Sequence, residues 1–359
     1  DDVSEFWYLV WADNQADEAT VREKFDPLWK HENTLVIRCR PEDEAWLIDN
    51  KIRYSRIEEA LLPLRTPVAP PVAKKVTVDP TIQKLLETVT AADLTSVVQS
   101  LQDFKTRYIR TEGNAKAVNW LAEEFRKIPG LEVTPPTDKD PSYGNITNVV
   151  AVKKGATEPN SVFIVCGHMD SIVGYGGASK SAPGADDNGT GAAGVLLMAR
   201  VLASTTLPCT VIFSTVNAEE VGLLGSKVLA KTLANTSGMT IKAALNMDMI
   251  ANKDDNEVAV IGNTRSNWLI DVFRDAALAY TGLKSKTMYD STIWQSDHSS
   301  FWNIGASAIL TIEGYPDYSA YYHSVNDLVV NIVPSLMEKI VRSQLATLLT
   351  LNPLIQKVK

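Results

Sequence analysis

Cysteine is scarce in this chain and never clustered. Cys39, Cys166 and Cys209 form no C-x-x-C pair, which excludes a cysteine zinc knuckle. Cys166 and Cys209 border or lie in apolar runs, where a free thiol acts as a small core residue. No apolar run approaches the roughly 20 residues of a membrane-spanning helix. Positive charge is short too. A net charge of -8 over 359 residues argues against a general nucleic-acid binder, which needs a basic face to displace phosphate counterions. Asp1-Asp2-Val3-Ser4 is neither basic nor followed by an apolar stretch, so no signal peptide is read there. Histidine is also rare, at four residues, which makes the place of each one informative.

What is present divides into two parts. Residues 1–66 read as a small βαβαβ unit. Strands are expected at Phe6–Trp11, Thr34–Arg40 and Ile52–Ile57, with a helix over 17–31 and a short one from Pro41 to Leu47. The stretch from Thr66 to Pro80 holds four prolines, which prevent regular structure, so 67–80 is expected to be a linker. From residue 81 onward the period changes. Ile82, Leu85, Leu86 and Val89, then Leu94, Val97, Val98 and Leu101, then Val118, Leu121, Phe125 and Ile128 keep helical spacing. Further helices are expected over 189–203, 225–233 and 334–351. Buried strands are expected over 148–152, 161–166, 210–216, 243–247, 258–262 and 307–312. Such alternation predicts a three-layer α/β/α domain over 81–359, with a mixed, mostly parallel sheet.

Five polar segments interrupt this pattern at strand ends or in loops: Gly167-His168-Met169-Asp170-Ser171, Pro183-Gly184-Ala185-Asp186-Asp187-Asn188-Gly189-Thr190-Gly191, Asn217-Ala218-Glu219-Glu220-Val221-Gly222, Asn246-Met247-Asp248-Met249 and Tyr321-Tyr322-His323-Ser324-Val325-Asn326-Asp327. Carboxylates at the ends of buried strands need hydrogen bonds, counter-charges or metal. Histidine and carboxylate without thiolate suits zinc bound through nitrogen and oxygen. There are enough carboxylates to bridge two metals and leave one as a base.

In this order the segments resemble the secreted leucine aminopeptidases with two co-catalytic zincs, peptidase clan MH. The likeness spans roughly residues 81–352 and includes Thr106-Arg107-Tyr108 and Asn119-Trp120-Leu121-Ala122. The resemblance implies two zinc ions per chain. His168 and Asp248 would hold one and Glu220 and His323 the other, with Asp187 bridging both. Asp187 is preferred to Asp186 because it stands four residues before Gly191. Glu219 would be the general base, and Asp170 would orient His168. Tyr322 would donate to the tetrahedral oxyanion. A cis peptide is expected after Asp187, and His298 of Ser296-Asp297-His298 is expected to be structural.

The implied substrates are peptides with a free N-terminus. Met249, Ile293, Trp294 and Ile312 would line an apolar pocket for the terminal side chain. Relatives act outside the cytoplasm, so a secreted or periplasmic monomer is expected. The unit at 1–66 lies where such relatives carry a propeptide, and could be a removable cover or a permanent cap. Three other activities share the fold. A dipeptidase or carboxypeptidase of the clan would differ in its loops. A glutaminyl cyclase is disfavoured by Asn217-Ala218-Glu219-Glu220 and Tyr322. A non-catalytic binding protein is disfavoured by the complete ligand set.

Overall fold

The structure is a computed structural model that describes residues 5–355 apart from 13, 41, 42, 51, 58–75, 141, 174, 254, 317 and 318. The N-terminal unit consists of β1 (Phe6–Trp11), α1 (Gln15–Lys24), β2 (Trp29–His31), β3 (Thr34–Cys39), α2 (Glu44–Asp49) and β4 (Arg53–Arg56). Its strands lie in the order β2-β3-β1-β4 and are antiparallel throughout. Tyr8, Val10, Val21, Leu35, Ile37 and Leu47 form its buried core. The helix expected over 17–31 stops at Lys24, and 29–31 form an extra strand instead. Pro27 explains this: it has no N–H to give and biases Asp26 away from helical angles. The expected start of the second helix at Pro41, and most of the expected linker, lie outside the described residues. Residues 76–79 lead directly into α3 (Pro80–Leu86), whose first turn is capped by Asp79 accepting from Thr81 N at 2.7 Å.

The larger unit continues with α4 (Ala91–Gln102), α5 (Glu112–Arg126), β5 (Glu132–Thr134), β6 (Thr137–Asp140), β7 (Gly144–Thr147), β8 (Val149–Lys153), β9 (Glu158–His168), α6 (Tyr175–Ala178), α7 (Gly191–Leu202), β10 (Cys209–Val216), α8 (Leu224–Asn235), β11 (Thr240–Met247), β12 (Glu257–Gly262), α9 (Asn267–Thr281), β13 (Lys284–Tyr289), α10 (His298–Asn303), β14 (Ala308–Ile312) and α11 (Pro334–Leu351). One eight-stranded sheet runs β13-β12-β14-β11-β9-β10-β8-β5. It is parallel from β14 through β11 and β9 to β10 and between β12 and β13. The pairs β12–β14, β10–β8 and β8–β5 are antiparallel. The sheet is therefore mixed, with a parallel centre.

Alternation along the strands sorts the core into two faces. Phe163, Val165, Val211, Phe213 and Leu245 pack with α4, α5, α7, α9 and α11. Val162, Ile164, Cys166, Ile212 and Ala244 pack with α8 and α10. This makes the three layers of an α/β/α domain. Because β9, β10, β11 and β14 run side by side in one direction, their carboxyl ends share one edge, the usual place for a site in such sheets.

Candidate active site

Each central strand delivers a polar segment to that edge. β9 ends on His168, β10 is followed by Asn217–Glu220, and β11 is followed by Asp248. The loop before α7 brings Asp187, and the turn at 319–327 brings His323. These residues converge. His168 Nε2 lies 3.3 Å from Asp187 Oδ1, 3.3 Å from Asp248 Oδ1 and 3.9 Å from Glu219 Oε2. His323 Nε2 lies 3.2 Å from Asp187 Oδ2 and 2.9 Å from Glu220 Oε2. The two oxygens of Asp187 thus face two different imidazoles. Among the described residues two groups able to hold a metal ion emerge, one of His168, Asp187 and Glu220 and the other of His168, Glu219 and Asp248.

The positions are held locally. Asp170 accepts from Glu219 N at 3.1 Å through one oxygen and from Glu220 N at 3.2 Å through the other. One of those oxygens is also 3.6 Å from His168 Nδ1. Asp170 therefore ties the histidine at the end of β9 to the paired glutamates after β10. Asp248 Oδ2 accepts from Ser296 Oγ at 2.7 Å, and Ser296 Oγ accepts from Asn246 Nδ2 at 2.7 Å. The Asp187–Asn188 peptide is cis. The Asn188 side chain is buried, donating to Met247 O at 2.9 Å and accepting from Gly191 N at 2.8 Å.

Electrostatics show what this cluster needs. Burial pushes the Glu219 carboxyl well above its ordinary range, and burial with repulsion from Asp187 pushes Glu220 up to about 7. Asp187 is also buried, yet hydrogen bonds and charge from His168 and His323 hold it well below the usual carboxylate range. His323 is pushed up to about 10, because Glu220 and Asp187 outweigh the burial that opposes its charge. His168 rises likewise against its own burial, driven by Asp248 and Glu219. So many buried carboxylates around two imidazoles suit a bound cation. Glu220 Oε1 is buried without a hydrogen-bond partner. Imidazole nitrogens, several carboxylates and an orphaned ligand atom fit zinc.

The softer sequence expectations divide. The Tyr322 ring stacks on His323 at 3.8 Å and 21°, half-exposed at the rim. Met249, Ile293 and Ile312 join Ala259, Ile261 and Leu310 in one small apolar cluster, edged by Met288 and Tyr315. Trp294 instead packs edge-on against Trp302 of α10. His298 turns away from the carboxylates, with Nε2 3.0 Å from Ile293 O.

Two residues outside the expected roles hold the segments together. Arg107 is fully buried, and Asp327 accepts from Asp186 N at 2.8 Å and Asp187 N at 3.0 Å. Asp327 ends the fifth polar segment and Arg107 stands in Thr106-Arg107-Tyr108, so both were visible in the sequence without a role.

Residues 148–348 match peptidase family M28. A probable zinc metalloprotease of Leptosphaeria maculans is 32% identical over 190 residues, covering 47% of this chain and 43% of that protein. A probable zinc metalloprotease of Pyricularia oryzae is 29% identical over 304 residues, covering 69% and 60% respectively. The chain thus spans about half the length of the curated relatives it matches. Among solved structures, the LapA aminopeptidase of Legionella pneumophila superposes with a TM-score of 0.77 at 18% identity, covering 98% of this chain and 99% of its own. The glutaminyl cyclase of Porphyromonas gingivalis superposes at 0.61 with 19% identity, covering 72% and 98%. At such identities the structures speak for the fold alone. The family match spans more than half of the sequence and contains every residue of the converging cluster, and the chain belongs to peptidase family M28.

Proposed function

We propose that the chain is a zinc-dependent aminopeptidase that removes an apolar N-terminal residue from peptides. The carrying observation is Asp187, whose two oxygens face His168 and His323 while Glu219 stands 3.9 Å from His168. His168 and Asp248 would hold one zinc ion, Glu220 and His323 a second, and Asp187 would bridge them. Bound there, the two ions would supply Lewis acidity to the scissile carbonyl and lower the pKa of the attacking water. Glu219 takes that water's proton and delivers it to the departing amine, the task of a carboxylate whose proton affinity burial has raised. Asp170 keeps Glu219 in reach through the backbone N–H bond. Met249, Ile293 and Ile312 receive the apolar side chain. Tyr322, anchored by its stacking on His323, reaches toward the developing oxyanion.

The test is hydrolysis of leucine p-nitroanilide beside metal analysis of the same sample. We expect chelator-sensitive turnover with two zincs per chain. Glu219→Gln should retain the metal and lose roughly 10²–10⁴-fold in kcat. Turnover of N-terminally blocked or C-terminal substrates instead would make the chain a carboxypeptidase. Cyclisation of N-terminal glutamine would make it a cyclase.

A further inference from the structure

The Arg107 guanidinium is buried in the middle of the larger unit, and all four of its hydrogen bonds go to backbone carbonyls. Nε donates to Met169 O at 2.6 Å, Nη1 to Pro183 O at 2.6 Å and Leu101 O at 3.3 Å, and Nη2 to Gly184 O at 2.7 Å. Met169 separates His168 from Asp170, and Pro183-Gly184 leads into Asp187. One planar fork therefore joins the segments of two of the candidate ligands, His168 and Asp187.

The same residue reaches a third segment through its backbone. Arg107 O accepts from Asn114 Nδ2 at 2.7 Å, and Asn114 exchanges two amide hydrogen bonds with Asn217 at 2.8 and 3.1 Å. Asn217 lies two residues before Glu219. Arg107 N donates to Ser171 Oγ at 3.1 Å, and that hydroxyl donates to Ala182 O at 2.7 Å. Gly184 is packed so closely by its own loop and by Ser171 that it admits no side chain. It has φ +50, and a Cβ there would lie 2.4 Å from Asp187 O, 2.4 Å from Ser171 Cβ and 3.0 Å from Arg107 Nη2.

Asp327 closes the loop from the other side. It gathers three successive N–H groups, Ala185 N through its carbonyl at 3.0 Å and Asp186 N and Asp187 N through its carboxylate. Asp327 follows His323 by four residues, so it fixes the His323 turn onto the Asp187 loop. The guanidinium keeps its charge at neutral pH. Burial lowers it only to about 10, because Asp327, Asp170, Asp187 and Glu220 oppose that burial.

We infer that Arg107 and Asp327 are positioning residues, a two-sided clamp on 183–187 that sets the distance of Asp187 from His168 and from His323 and so fixes the affinity of the site for zinc. This rests on the reading of that cluster as a zinc site. Residues one shell out from a metal typically contribute about 10–100-fold in affinity.

The experiment is zinc affinity of the full-length chain, measured by competition with a chromophoric chelator, with the cobalt-substituted absorption spectrum and kinetics alongside. Arg107→Lys keeps the charge but replaces a planar five-donor fork with one rotating ammonium. We expect folded protein, zinc held about 10–100-fold less tightly, an altered cobalt spectrum, and kcat reduced with KM within about threefold. Asp327→Asn can accept only one of the two loop N–H bonds on its side chain and should weaken zinc in the same range. A folded Arg107→Lys chain with wild-type zinc affinity overturns the clamp. If Arg107→Lys does not fold, Asp327→Asn decides: weakened zinc sustains the clamp and unchanged zinc overturns it. Wild-type chain that takes up no zinc overturns the metal-site reading and the clamp together. Zinc uptake without peptide hydrolysis overturns the aminopeptidase reading and leaves the clamp to the variants.

Discussion

Among the described residues two arginines are buried, and their surroundings differ. Arg56, at the end of β4, donates to Glu44 Oε1 at 2.6 Å, Asp140 Oδ2 at 2.6 Å and Ser142 Oγ at 2.8 Å, and lies over the Phe6 ring. Glu44 also accepts from the Tyr8 hydroxyl. The Arg107 guanidinium donates only to carbonyls, although four carboxylates influence it from further away. Around Arg56 the negative charge is consumed in a joint, since Glu44 belongs to the N-terminal unit and Asp140 to the larger one. Around Arg107 the carboxylates are left free for backbone N–H groups and, on our reading, for metal. A buried guanidinium satisfied by carbonyls is how a site can hold a positive charge nearby without neutralising its own ligands.

The joint is not remote from the chemistry. Lys227, in α8, donates to Arg56 O at 2.7 Å and Ser55 Oγ at 3.0 Å. Ile48 of α2 packs against a cluster that includes Leu224 and also Ala218 and Val221, the residues flanking Glu219 and Glu220. The largest effect expected from breaking the comparison is on this side. Arg56→Met leaves the buried Glu44 and the partly buried Asp140 without their partner and should cost about 3–5 kcal/mol in a denaturant titration. Combining it with Glu44→Gln and Asp140→Asn should recover most of that loss. Zinc affinity should stay at the wild-type level in both, unlike Arg107→Lys. A tenfold loss of zinc in Arg56→Met would erase the distinction, showing that docking of the N-terminal unit reaches the metal ligands.

The comparison also shows where sequence reasoning stops. The buried strands were legible because Ser161–Cys166 and Thr210–Val216 are apolar runs ended by polar residues, and those ends are where the candidate ligands sit. Edge strands were not. Thr137–Asp140 is mostly exposed and β13 has no fully buried residue, so neither shows an apolar face to read. Helix α9 does carry the spacing, in Leu269, Ile270, Phe273, Ala277 and Tyr280, and lies outside the sequence expectations. The roles of Arg107 and Asp327 had no local signal at all. Arg107 meets Met169 and Gly184 across 62 and 77 positions, and Asp327 meets Asp187 across 140. A lone Arg or Asp in a polar stretch reads as solvated until the fold places it. Arg56 is the same case, since its partner Asp140 is 84 positions away.

A third buried base sharpens the contrast with a smaller effect. An arginine cannot shed its proton, so it must be satisfied as a cation, whereas a histidine can become neutral. His298 is fully buried, its Nε2 facing Ile293 O, its Nδ1 without a partner and its ring edge-on to Trp302 at 4.4 Å. Burial pushes it down to about 4, only slightly offset by the Ile293 carbonyl. His168 and His323, beside carboxylates, shift the other way. Between the ordinary histidine value of 6.5 and about 4, the unfolded chain binds a proton that the folded chain refuses, so acid weakens the fold through that window. Below about 4 the loss is complete, at roughly 3 kcal/mol. His298→Gln keeps a donor for Ile293 O and cannot titrate. It should be less stable than wild type at pH 7, with the gap closing as pH falls from 6.5 to 4. The comparison of urea midpoints across that range is decisive, because every other titrating group is common to both proteins. Parallel curves would mean that His298 titrates in the folded chain as it does in the unfolded one, and that burial without a carboxylate partner is not what separates it from the two histidines of the site.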